Sequence, residues 1–456
     1  MKTAFLFIAS HQGHYNATLN LSKDLQKLGF EVTYFGDGKF RNHIISCGFG
    51  FYEFNFINSF FDYSSFNFKE FAKTLSFFGI AKNRNRRFQE FSAIAAILNS
   101  LVKSFSPDLL LIDTFLNCYP LVLNEHRTKI VLLETMISRR MDNGTPPGCT
   151  QFYKFKDPII QKWTIAIQWK KHFFHLKVRQ LIRDIAYCRQ SNYSLLNKYL
   201  KMKGLDPASL IDCNRSFFFT SANLKEIVLS PSGLDFFWRP KYKEQFHYSV
   251  KRSSDKTNIA AGFEELRQRI KLESTLDKNF RVIYCSLGTL SSIHLKTPQV
   301  FLEEVIKAFE NSTNRLLIVA AGSESLKTQL ATTAKNIFIY ESVDQLEVLE
   351  LTDIFITHGG LNSVLEAIET GTPMLLYPLN KRWDQIGNSS RVKYYQLGEF
   401  GDIKKDKAAT IRRKVEYLIE NLSIYLNLRT FTNIFCTADD LLPQLDAFLQ
   451  ENIFEA

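Results

Sequence analysis

Residues 354–385, IFITHGGLNSVLEAIETGTPMLLYPLNKRWDQ, decide how this chain is read. Ile354, Phe355 and Ile356 form an apolar run short enough for a buried strand, and Thr357-His358-Gly359-Gly360 breaks it with the backbone freedom that glycine supplies. Leu361, Val364, Leu365 and Ile368 then recur at helical spacing, Gly371 stands where a helix C-cap belongs, and Pro373 forbids continuation. Met374-Leu375-Leu376-Tyr377 reads as a second buried strand. The spacing predicts a βαβ unit whose glycine loop lies at the carboxyl end of a strand, where open α/β sheets bind ligands.

The chemistry of that loop follows from charge. A helix N-terminus presents unpaired N–H groups and a partial positive charge, so a pyrophosphate can sit against Gly359, Gly360 and Asn362 without a metal. Asn362 and Ser363 add side-chain donors. Glu366 lies one turn deeper on the same side as Asn362, placed to accept from vicinal ribose hydroxyls. After the second strand, Trp383-Asp384-Gln385 offers an aromatic face, a pure acceptor and a mixed donor and acceptor, a trio suited to a sugar.

The run H-G-G-x-N-S-x-x-E-A-x-x-x-G-x-P from His358 to Pro373, with Asp384-Gln385 after it, resembles the donor-binding segment of the UDP-glycosyltransferases. This is the inverting GT-B superfamily that includes macrolide, carotenoid and plant-product glycosyltransferases. Upstream, Gln345-Leu346-Glu347-Val348-Leu349 is similar to the Q-x-E-V-L that opens the same segment. The resemblance implies an α/β chain of two Rossmann-like parallel-sheet domains facing each other across a cleft. It implies that the counterpart of His358 donates to a phosphate and that Asp384 and Gln385 hold a hexose such as glucose. It implies no cofactor and no metal: the co-substrate is a nucleotide sugar of the UDP type, and no D-x-D element stands in the expected place. Two departures leave the base, uracil or thymine, and the sugar open. Ser342 stands where most members carry an aromatic that stacks on uracil, and the loop from Pro378 to Asp384 is about two residues longer than usual.

A second βαβ opens the chain. Ala4-Phe5-Leu6-Phe7-Ile8 is a short apolar run, followed by a polar loop, a helix carrying Leu19, Leu21, Leu25 and Leu28, Gly29 at its end, and a strand Val32 to Phe35. It lacks G-x-G-x-x-G, which disfavours a nicotinamide or flavin site. Gly13-His14-Tyr15-Asn16 resembles the family's G-H-x-N-P, with Ala17 in place of proline, and the family's histidine is the catalytic base. An imidazole with a pKa near ~6.5 is suited to deprotonate a hydroxyl at neutral pH. It needs an orienting partner. Leu109-Leu110-Leu111-Ile112-Asp113 reads as a buried strand ending in an acid, and Asp113 resembles the family's aspartate at this point. His11 is the rival base, and a strand-end cap is the plain reading of Asp113. Arg281 to Leu290 reads as a strand followed by S-x-G-T, similar to the family's entry into its second domain. Ser286, Gly288 and Thr289 there are candidates for the diphosphate, with an ordinary strand-to-helix turn as the plain reading.

At 456 residues and 45% hydrophobic content the chain can bury two cores. The expected partition is an acceptor domain over 1–240, a linker region over 241–277 where Lys, Ser, Asp and Glu crowd out apolar periodicity, a donor domain over 278–438, and a helix over 439–456 returning to the first domain. Seven scattered cysteines without C-x-x-C indicate neither a disulfide framework nor zinc, which makes the cytoplasm the expected address. The apolar run after Met1-Lys2 is too short for a secretory leader, and no segment is long and apolar enough to span a membrane.

Residues 162–203 hold ten basic residues against Asp184 alone, interleaved with Trp163, Trp169, Phe173 and Phe174, in a chain of net charge +11. Such a segment suits peripheral contact with an anionic membrane or an acidic acceptor; its plain reading is a solvated helix face. No recognition motif supports a nucleic-acid partner. The 41 phenylalanines, clustered from Phe49 to Phe78, suit a lipophilic aglycone or ordinary core. The expectation is a metal-independent hexosyltransferase with His14 and Asp113 as base dyad. A non-catalytic nucleotide-sugar binder and a GT-B nucleotide-sugar epimerase are the alternatives.

Overall fold

The chain is known from a computed structural model, which describes residues 2–54, 77–152, 157–186, 189, 191–217, 219–236, 242–250, 262–288, 296–330, 332–380, 383–435 and 438–453. The first domain is built on a seven-stranded parallel sheet of order β3-β2-β1-β4-β5-β8-β9. Its strands are β1 Lys2–Phe7, β2 Phe30–Gly36, β3 Gly50–Glu53, β4 Leu109–Asp113, β5 Ile130–Glu134, β8 Lys225–Val228 and β9 Gln245–His247. A small antiparallel pair, β6 Ile211–Asp212 and β7 Thr220–Ser221, stands apart from it. Helices cover both faces of a parallel sheet, so its central strands read as unbroken apolar runs; all five residues of β4 and of β5 are buried.

The second domain repeats the plan with six strands in the order β12-β11-β10-β13-β14-β15. These are β10 Arg281–Ser286, β11 Arg315–Ala320, β12 Ile337–Tyr340, β13 Ile354–Thr357, β14 Met374–Leu376 and β15 Gly398–Phe400. The βαβ read from the sequence is β13, the helix Leu361–Thr370 and β14. The helix buries Leu361, Val364, Leu365 and Ile368, and it stops at Gly371, whose φ of 72° is left-handed.

Strand order sets where a ligand can sit. In each sheet the direction of winding reverses beside the first strand of the domain, between β1 and β4 and between β10 and β13. The connections leaving the carboxyl ends of these strands part to opposite faces and open a crevice. His14 follows β1 and Asp113 ends β4; Ser286 ends β10 and His358 follows β13.

The stretch 241–277, expected to link the domains, carries an element on each flank. Gln245–His247 pairs with β8 as the edge of the first sheet, and the helix Phe263–Leu276 packs Phe263, Leu266 and Ile270 into the second core. Those three buried apolar residues recur at helical spacing within a segment of otherwise polar composition. At the other end of the chain, the helix Ala438–Ile453 inserts Leu441, Leu445, Phe448 and Leu449 into the core of the first domain beside Leu6, Leu109 and Val131. Of the aromatic cluster Phe49 to Phe78, Phe49 and Phe54 are buried core side chains, and 55–76 lie outside the described residues.

Candidate active site between the two sheets

His14 sits in the first turn of the helix Gln12–Lys27, and the parallel pairing of β1 with β4 carries it to the end of β4. Its Nδ1 lies 2.6 Å from Oδ2 of Asp113. Thr135, just past β5, places its Oγ1 2.9 Å from the same nitrogen. Asp113 is fully buried and accepts from the backbone N–H of Ala9 at 3.2 Å and of Phe115 at 2.9 Å. Burial alone would raise its pKa; the His14 ring and these N–H groups overcome that and hold the carboxyl below its ordinary value. An ionised Asp113 selects the tautomer with the proton on Nδ1 and leaves Nε2 to accept another. His11, the rival, lies 5.2 Å away between ring centroids, and burial together with His14 lowers its pKa to about 4, too acidic for a base at neutral pH.

An aromatic wall crosses from one domain to the other beside this pair. Phe115 meets the His14 ring edge-on at 4.5 Å and stacks on Trp383 of the second domain at 5.7 Å. Phe217 also packs on Trp383, tilted, at 5.6 Å between ring centroids. The second domain reaches back with a polar contact: Nδ2 of Asn362 donates to the carbonyl of Gly13 at 2.8 Å.

On the second domain, Gly288 and Gly359 both have left-handed φ values, 70° and 80°. A Cβ at Gly288 would fall 2.5 Å from the His358 ring, and one at Gly360 would fall 2.6 Å from it, so the two loops close on the imidazole. His358 is buried, and its Nδ1 has no hydrogen-bond partner among the described residues. Burial lowers its pKa to about 4, which keeps the ring neutral with one N–H to give. Ser286 is buried at the end of β10 and its Oγ accepts from the N–H of Gly288 at 3.4 Å. Thr289 lies outside the described residues.

Three further residues form one cluster. Nε2 of Gln345 donates to Oγ of Ser363 at 3.2 Å and to Oε2 of Glu366. The helix Gln345–Leu349 is set by Asp344, which accepts from the N–H groups of Leu346 and Glu347. Asp384 and Gln385 divide their duties. The Oε1 of Gln385 accepts from the N–H groups of Leu379 and Asn380 at 2.8 and 3.0 Å, which ties the loop before Asp384 to the helix that Gln385 opens. Asp384 accepts from Nδ2 of Asn388 at 3.0 Å, an amide that also donates to the carbonyl of Gly359. Burial raises the pKa of Asp384, opposed by Asn388 and by the nearby charge of His14.

The structure thus gathers Ser286, Gly288, Gln345, His358, Gly359, Gly360, Asn362, Ser363, Glu366, Asp384 and Gln385 around the β10/β13 crevice, and His14 with Asp113 at the β1/β4 crevice. Thr135, Phe115 and Asn388 join them without any local motif that would single them out.

A neutral, buried His358 has a measurable consequence. On unfolding the ring regains its ordinary value of 6.5, so the stability it confers is complete above that pH and is lost as pH falls toward about 4. Glu134, pushed by burial up to about 7, acts in the opposite sense over part of that window. The difference between the wild-type chain and His358→Asn isolates the histidine: the gap in urea midpoint should narrow from pH 7.5 to pH 4.5, and a gap that does not change with pH rules out the buried neutral ring.

Against known proteins, the family described as UDP-glucoronosyl and UDP-glucosyl transferase matches residues 272–435. YdhE of Bacillus subtilis (strain 168), described as an uncharacterized UDP-glucosyltransferase, is 30% identical over 179 residues, 38% of this chain and 43% of that protein. The zeaxanthin glucosyltransferase of Pantoea ananas is 34% identical over 119 residues, 26% of each chain. The chain spans less than half the length of these curated relatives. In fold the likeness runs over the whole chain. The glycotransferase of kitacinnamycin shares 16% identity at a TM-score of 0.67, and CalG4, the calicheamicin glycosyltransferase, 17% at 0.65, each with 98% of both chains covered. The fold is GT-B.

Proposed function

We propose, from the likeness of its second domain to the UDP-glucosyl transferase family and from its GT-B fold, that the chain is an inverting, metal-independent glycosyltransferase of the UDP-glycosyltransferase superfamily. It moves a hexose, glucose from UDP-glucose, to a hydroxyl of a small lipophilic acceptor. The observation that carries this reading is the His14–Asp113 pair at 2.6 Å, tied through Gly13 and Asn362 to the glycine loop of the other domain. A protein that only bound a nucleotide sugar would need the second sheet alone, and an epimerase would use carboxylates rather than an oriented imidazole.

In this mechanism Nε2 of His14 takes the proton of the acceptor hydroxyl as its oxygen attacks the anomeric carbon. The bond from that carbon to the diphosphate breaks, and the diphosphate leaves with the electron pair. Asp113 steadies the imidazolium that results. The leaving charge is met by the N-terminus of the helix Leu361–Thr370, by Ser286, Thr289, Asn362 and Ser363, and by the neutral His358, whose Nδ1, without a partner among the described residues, suits a phosphate oxygen. Glu366 takes the ribose hydroxyls and Asp384 the sugar hydroxyls. This reading assigns charge stabilisation to the helix N-terminus and these side-chain donors. Phe115, Trp383 and Phe217 supply the lipophilic wall on which an aglycone would lie beside the base.

The direct test sets UDP release from UDP-glucose, with a panel of hydroxylated aglycones, beside a thermal shift with UDP. Expected are a shift with UDP and release that depends on the acceptor and persists in EDTA. A shift without release assigns the chain to binding alone; activity lost with EDTA and restored by Mn²⁺ overturns the metal-independent mechanism.

A further inference from the structure

The helix Pro158–Ala186 anchors one face in the protein. Ile165 and Trp169 are buried, and the Trp169 indole donates to the carbonyl of Thr145 at 2.7 Å. The opposite face is unusual for a chain in water. Ile160, Trp163, Ile167, Phe174, Leu181 and Ile185 recur three, four or seven residues apart, which aligns them in one stripe. All six are exposed, Trp163 to 67%, Phe174 to 65% and Ile185 to 66%. Singly exposed apolar residues need no explanation, but a stripe of this kind marks a surface that meets something. Lys162, Lys170, Lys171 and Lys177 are exposed along the same helix, whose one acidic residue is Asp184.

We infer that this helix lies on the surface of an anionic lipid bilayer, with the stripe in the acyl boundary and the lysines at the headgroups. The charge selects the occupant. A second copy of the chain would bring the same uncompensated lysines face to face, whereas an anionic bilayer neutralises them while taking up Trp163, Ile167 and Phe174. Among the described residues no helix is long and apolar enough to cross a membrane, so the contact is with the surface. The helix rises about 1.5 Å per residue and is 29 residues long, which permits a contact along several turns rather than at one point. The inference does not depend on the transferase reading, since lipid binding is measured without donor or acceptor; taken together, the two let a lipophilic acceptor arrive from the bilayer.

The test is co-sedimentation of the full chain with vesicles of equimolar phosphatidylcholine and phosphatidylglycerol, against vesicles of phosphatidylcholine alone. Expected is binding to the anionic vesicles only, weakened by salt. Trp163→Glu with Phe174→Glu, both at exposed positions and checked for an unchanged melting curve, should lower the partition constant by at least about tenfold. No binding to anionic vesicles, equal binding to neutral ones, or wild-type binding by the double variant would overturn the inference. So would a dimer in light scattering that the double variant dissolves, which would give the stripe to a second copy.

Discussion

His14→Ala is expected to lower kcat for glycosyl transfer by roughly 10²–10⁴-fold, the usual worth of a positioned general base, while UDP binding stays unchanged. The split follows from geometry: His14 belongs to the β1/β4 crevice, and the donor loops belong to the other sheet. Asp113→Asn should lower kcat in the same direction with UDP binding again preserved, because an amide can present its N–H to Nδ1 and so favour the tautomer with its proton on Nε2. Steady-state kinetics beside calorimetric titration with UDP resolve the two quantities. Full turnover by His14→Ala would remove the base role from His14.

Arg391→Met should destabilise the chain by about 3–5 kcal/mol, the cost of leaving one member of a buried ion pair alone. Arg391 is 2% exposed, lies on the helix Gln385–Tyr394 of the second domain, and donates from Nε at 3.0 Å and from a terminal nitrogen to Asp235 of the first. Its guanidinium also lies over the Phe236 ring at 4.7 Å. Pairing it with Asp235→Asn should recover part of the loss, since the stranded carboxylate is then removed. Urea unfolding gives both values; a loss near the 0.5 kcal/mol scatter of surface substitutions would show that the pair does not hold the domains together.

The donor half could be read early because its information is local. In residues 345–385 the glycines, the helix they start and the helix cap are neighbours in sequence, and neighbouring contacts appear in space: Gln345 on Glu366, Gly360 against His358. The base and its acid are far apart along the chain and became legible only because each ends a recognisable strand or opens a recognisable helix. Thr135 on His14, the stacking of Phe115 on Trp383 and the Arg391–Asp235 pair arise from how strands and domains dock, and no periodicity encodes such pairings. Gln385 shows the limit from the other side. Its residue type suggests a sugar contact, and its oxygen also accepts from the backbone N–H groups of Leu379 and Asn380, a pairing that no periodicity encodes.

The return of the helix Ala438–Ile453 to the first core has a bearing on biosynthesis. Leu441, Leu445, Phe448 and Leu449 line that core beside β1 and β4, the strands that carry His14 and Asp113 into place. On the ribosome the whole second sheet is made before those four side chains emerge. The first domain therefore waits, with part of its interior still open to water, until its neighbour has been translated, and a chain cut short after residue 435 leaves that apolar surface uncovered.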